Sequence, residues 1–159
     1  MDSQLSKETL GLAGEYAVAS ELCKRGIYAQ LTLGNRKRTD LLVETEDSML
    51  RVQVKSKQKR EWPGMKGITG RDIVLILVDF EKKALESRPD FYVLTSDDWA
   101  QVVDARCIQP GHVKNGEVTI SDCNVPTWSD GYVGVGIKAS DVQEHKEKWD
   151  KIKACPTGR

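Results

Sequence analysis

Four polar residues interrupt otherwise apolar patterns: Glu15, Asp40, Gln53 and Lys55. Gln53 and Lys55 lie in "MLRVQVKS" (49–56). Its period-two alternation points Arg51, Gln53 and Lys55 to one strand face and Leu50, Val52 and Val54 to the other. Asp40 opens "DLLVE" (40–44), a second β-like run, with "EDS" as the turn between the two. Paired as a hairpin, they bring one carboxylate, one amide oxygen and one ammonium close together, with register as the open variable. That set suits phosphodiester hydrolysis. Mg²⁺ takes a few oxygen ligands and keeps several waters, so one carboxylate and one amide oxygen form a sparse site. The cation polarises phosphate and acidifies water, and lysine, a compact point charge, orients the attacking water and stabilises negative charge. The competing reading is an ordinary amphipathic strand whose Gln and Lys are solvated.

The elements that would position these groups begin with a helix from Glu8 to Arg25, ended by Gly26 at the position after the cap. At about 100° per residue, Glu15 falls within a stripe of Gly11, Leu12, Val18, Ala19 and Leu22. Ser20, Glu21 and Lys24 take the other side. An unpaired buried charge costs several kcal/mol, so a cation, a metal or a hydrogen-bond donor is expected beneath Glu15. A structural ion pair with Arg or Lys satisfies the same demand without chemistry.

Together, "GEYAVASELCKRG", "TDLLV" and "RVQVKS" resemble the PD-(D/E)xK nuclease superfamily, and look most like archaeal Holliday-junction resolvases and related small nucleases, over roughly residues 8–80. The resemblance implies an α/β, restriction-endonuclease-like αβββαβ core with a mixed central sheet flanked by helices, plus a C-terminal helix. It implies Asp40, Gln53 and the backbone carbonyl of Val54 as ligands of Mg²⁺ or Mn²⁺, Lys55 as the catalytic lysine and Glu15 as an auxiliary acid. Two letters depart from the pattern. Thr39 stands where the family name has proline, and Gln53 replaces an acid, which removes a negative charge and favours one metal over two. The implied function is a metal-dependent DNA endonuclease acting on duplex or branched DNA. Symmetric cutting of two strands calls for a homodimer. The alternative is a nuclease-fold DNA-binding or interaction module that no longer cuts; a third reading is a small α/β protein with no nucleic-acid role.

The rest of the chain fits one domain of 159 residues, with a core at about 8–104 and an elaboration at 105–159. β-like runs occur at 27–33, 72–80 and 90–96, and a short helix starts at a Thr95 or Ser96 cap. "GEVTIS" and "GYVGVGIK" read as short strands. Ser140 is expected to cap a last helix with Val142, His145, Trp149 and Ile152 on one stripe. With 24 basic and 24 acidic residues, bulk charge points to no partner. Residues 36–60, however, hold eight basic residues against four acids, and 79–104 hold three against seven. Candidate DNA-binding residues are Arg36, Lys37, Arg38, Lys57, Lys59 and Arg60, with Trp62 either stacking on a base or packing on the domain. His112 and His145 have no partner at ligand or triad spacing, and the four cysteines form no metal cluster, so serine, cysteine and zinc hydrolases are unsupported. Reduced thiols, the absence of a basic, apolar leader and the lack of an apolar run near 20 residues predict a cytoplasmic protein without a membrane partner.

Overall fold

A computed structural model describes residues 4–32, 39–107 and 116–154. Ser6 caps α1 (Lys7–Lys24), its hydroxyl accepting from Thr9 N–H at 3.2 Å, and Gly26 ends it with φ 76°. Three antiparallel strands follow: β1 (Tyr28–Leu31), β2 (Leu41–Glu44) and β3 (Met49–Lys57). In the β2/β3 register Leu41 faces Val52 and Glu44 faces Met49. β4 (Glu61–Met65) then leads to β5 (Ile73–Asp79), parallel to β3, and β6 (Asp90–Leu94) pairs antiparallel to β5. The central sheet is thus mixed, in the order β1-β2-β3-β5-β6. The crossover from β3 to β5 is carried by β4 and a loop, and the second helix, α2 (Ser96–Cys107), comes after β6. Thr95 caps α2: its hydroxyl accepts from Asp98 N–H, while the Asp98 carboxylate accepts from Thr95 N–H.

β5 is buried along its whole length because both sheet faces are covered. Val74, Ile76 and Val78 meet Val18 and Leu22 of α1, together with Val52, Val54, Trp149 and Ile152. On the opposite face Leu75 and Leu77 meet Trp62, Met65, Trp99 and Val103. That second layer includes β4 paired with β9 (Val135–Lys138), while β7 (Val118–Ile120) and β8 (Pro126–Trp128) form a small hairpin of their own.

The expected last helix is broken. A 3₁₀ helix (Ala139–His145) is capped by Lys138, whose N–H donates to the Asp141 carboxylate at 2.8 Å, so Ser140 is not the cap. Glu147, with φ 57°, separates it from α3 (Asp150–Ala154). Val142, His145, Trp149 and Ile152 are all buried, but not as one stripe: Val142 enters one core, Trp149 and Ile152 the other. The segment wraps the edge strand β6, with Glu147 N–H donating to Phe91 O.

Candidate active site at the fork of β2 and β3

β2 begins at Leu41, whereas β3 runs on to Lys57, so β3 outlasts its partner along one edge. Asp40 sits at that fork. Its N–H donates to Val52 O at 2.9 Å, and its carboxylate Oδ2 accepts from Val54 N–H at 2.7 Å. One carboxylate oxygen is thereby fixed by backbone. Because N–H and C=O of one residue point the same way in a strand, the Val54 carbonyl also faces the fork.

Burial pushes the Asp40 pKa up, partly offset by the Val54 hydrogen bond and the Lys55 charge. Burial also raises Glu15, with the Asp40 charge adding to it and Lys55 opposing it. Glu15, Asp40 and Lys55 are therefore electrostatic neighbours, and the two acids repel each other. Gln53 is buried, pairs laterally with Leu75 and lies on the face opposite Val54. It is not among the polar groups that shift either acid. Among the described residues no group of three or more His, Cys, Asp or Glu side chains converges on a common point.

α1 differs from its expected stripe. Its buried residues are Leu10, Gly14, Val18, Glu21 and Leu22, Leu12 is 51 % exposed, and Glu15 is half-buried at the stripe's edge. The acid inside this helix is Glu21, 6 % exposed, which pairs with Arg25, Lys24 and Arg88 and is held down at about 2, chiefly by the Arg88 hydrogen bond. What brings Glu15 to the fork is Gly14: a Cβ there would lie 1.8 Å from Ser56 Oγ and 3.5 Å from Val54 Cγ1. Sequence reasoning passed over this residue, although a glycine inside a helix, costing about 1 kcal/mol against alanine, signals close approach.

The expected DNA-binding residues divide. Arg36, Lys37 and Arg38 lie outside the described residues. Lys59 and Arg60 are exposed in the turn after β3. Lys57 is not free for phosphate: its side chain is 1 % exposed and its ammonium is held by Asp79 at 2.8 Å and Glu81 at 2.9 Å, at the ends of β3 and β5. Trp62 does not stack on a base. It is 1 % exposed, packs edge-on against Tyr92, and donates its Nε1–H to Lys55 O at 3.1 Å, bracing the backbone of that lysine.

No protein-family model matches the chain, and no curated protein matches it in sequence. The chain is a mixed α/β fold, a five-stranded mixed sheet flanked by helices, with the Asp40 carboxylate at the fork of two strands. The bacterial homing endonuclease I-Ssp6803I shares this architecture at 17% identity and a TM-score of 0.53, over 94% of this chain and 95% of that one. At that identity the likeness is one of fold. Among the described residues no helix is long and apolar enough to cross a membrane.

Proposed function

We propose that this protein is a metal-dependent DNA endonuclease of the PD-(D/E)xK type, with Glu15, Asp40, Gln53 and Lys55 as its site. The observation that carries the reading is Asp40, fixed on Val54 N–H at 2.7 Å, with the charges of Lys55 and Glu15 converging on it. The neighbour's being a homing endonuclease supports it.

The residues present fit Mg²⁺ or Mn²⁺. The donors are hard oxygens, and two mutually repelling, half-desolvated carboxylates gain from a cation between them. Asp40, the Val54 carbonyl and the Gln53 amide oxygen would hold it, with Glu15 acting directly or through water. When bound, the ion supplies positive charge to the phosphate and lowers the pKa of water. Lys55 orients the attacking water and stabilises charge on the phosphate oxygens. Its backbone, held by Trp62 beneath and the β5 ladder alongside, stays in place while the side chain meets substrate. One such site per chain makes a homodimer the arrangement that cuts both strands.

Supercoiled, linear, branched and single-stranded DNA incubated with Mg²⁺ or Mn²⁺ tests the reading. Cleavage is expected of at least one, with Asp40→Ala and Lys55→Ala each slower by about 10²-fold or more. No cleavage of any substrate, or unimpaired variants, would overturn it. A second reading, a nuclease-fold module that binds DNA without cutting, is favoured by Gln53 standing in place of an acid. It predicts salt-dependent DNA binding that is indifferent to Mg²⁺.

A further inference from the structure

We propose, building on the nuclease reading above, that the groove between the start of α1 and the turn after β3 is the track along which the DNA backbone leaves the site, with Lys7 and Lys138 as two of its phosphate contacts. The groove is open, about 680 Å³ in volume, and continuous with Ser56. Leu5, Leu10 and Pro63 supply apolar wall.

Four cations reach it from separate parts of the fold: Lys7 at the first position of α1, Lys59 and Arg60 in the turn between β3 and β4, and Lys138 at the end of β9. Glu61 is the one acid among the residues lining it. Lys57 also lines the groove, but Asp79 and Glu81 take its charge. Among the described residues none of the four cations is engaged in an ion pair, and Arg60 meets Glu81 at longer range alone. Unpaired like charges around a concavity with apolar walls repel one another and focus a positive field outward, an arrangement that a polyanion relieves.

Position selects DNA backbone over a small anion. Leu10, on the groove wall, is one helical turn from Gly14, which rests on Ser56, and Glu15 follows Gly14. At about 1.5 Å per residue, groove and fork are roughly 7 Å apart along the helix. That is close to one phosphate-to-phosphate step of a strand, which rises about 3.4 Å per nucleotide along the duplex axis while winding around it. A strand with its reacting phosphate at Asp40 therefore places neighbouring phosphates in the groove. The side chain of Gln58 keeps the wall in place, its amide bonding both N–H and C=O of Leu5.

The test is fluorescence anisotropy of a labelled DNA duplex, without divalent cation, over a series of salt concentrations. The double variant K7A/K138A is compared with wild type and with K66A/R71A, which removes two exposed cations from the loop before β5. Each lost phosphate contact lowers the slope of log K against log salt by about 0.9, so K7A/K138A should lower it by roughly 2 while K66A/R71A leaves it unchanged. An unchanged slope in K7A/K138A, or an equal fall in K66A/R71A, overturns the track even if the wild type cuts DNA. The predicted slopes in a protein that never cuts keep the track and remove the nuclease reading. A wild type that neither binds nor cuts removes both.

Discussion

Asp40 and Glu15 differ in how their charge is supported. Asp40 has a backbone donor, whereas Glu15 meets burial and the Asp40 charge, relieved by Lys55 alone. The folded chain therefore raises Glu15 above its ordinary value of 4.5, which means the native state binds its proton more tightly than the unfolded chain does. The sign follows: the ionised Glu15 costs stability at neutral pH, and the cost vanishes below about 4.5, where both states are protonated. Glu15→Gln is accordingly expected to raise Tm at pH 7 in EDTA, with the gain shrinking as pH falls. Mg²⁺ should raise the wild-type Tm and narrow the gap, since a cation replaces the missing counter-charge. Thermal melts of both proteins at several pH values, with and without MgCl₂, decide it. A lower Tm for Glu15→Gln at pH 7 would show that this carboxylate is already stabilised by protein alone. At this scale the positions of Gln53 and Lys55 on β3 were legible because period-two alternation marks a polar residue in a strand, whereas Asp40 lies one residue before β2. The burial of Lys57 was not legible, because it depends on Asp79 and Glu81, distant in sequence, whereas packing on the domain was one of the two readings of Trp62 and is the one its contact with Tyr92 bears out.

Elements meet at this site through one close contact. A Cβ on Gly14 would meet Ser56 Oγ at 1.8 Å and Ser56 Cβ at 3.2 Å. Two effects oppose each other in Gly14→Ala. Helix propensity favours alanine by about 1 kcal/mol, while overpacking a helix–strand contact costs about 1–3 kcal/mol. With the neighbouring oxygen this near, overpacking wins, and Gly14→Ala is expected to lose stability and to move Glu15 off the fork, which under the proposed function would lower cleavage as well. Ser56→Ala removes the nearest atom, a buried hydroxyl without a hydrogen-bond partner among the described residues. The loss caused by Gly14→Ala should then shrink by about 1 kcal/mol in the Ser56→Ala background, read from urea unfolding of the four proteins as a double-mutant cycle. Additive effects would mean that the helix does not rest on Ser56. The register that sets this contact was the part of the hairpin hidden from sequence, because alternation alone allows several pairings. The helix was legible in extent and misread in rotation. With Leu12 outside and Glu21 inside, its apolar stripe is too weakly marked for periodicity to orient it.

Across the whole molecule, residues 116–154 belong to the same packed body as the central sheet. Trp149 sits 5.3 Å from the Phe91 ring, carries the Arg25 guanidinium 4.6 Å above its own ring, and donates Nε1–H to Glu147 at 2.6 Å. Glu147 in turn shares Arg88 with Glu21 of α1, so one ionic network ties the first helix, the loop before β6 and the chain's end together. In sequence, 105–159 stood apart as an elaboration because it lies beyond the family resemblance, and four residues at helical spacing read as one stripe of a last helix. They instead serve two faces of the sheet, which only a chain that turns at Glu147 and wraps β6 can do. Trp149→Ala should therefore cost about 3–5 kcal/mol, the range for an aromatic deleted from a core. A chain ending at residue 138 should fail to unfold cooperatively, since it uncovers β6 and removes Val142, Trp149 and Ile152 from two cores at once. Urea unfolding followed by tryptophan fluorescence and far-UV circular dichroism tests both. A truncated chain with the wild-type midpoint would show that the sheet holds itself together without the wrap, and the fork that positions Asp40 would then owe nothing to the chain's end.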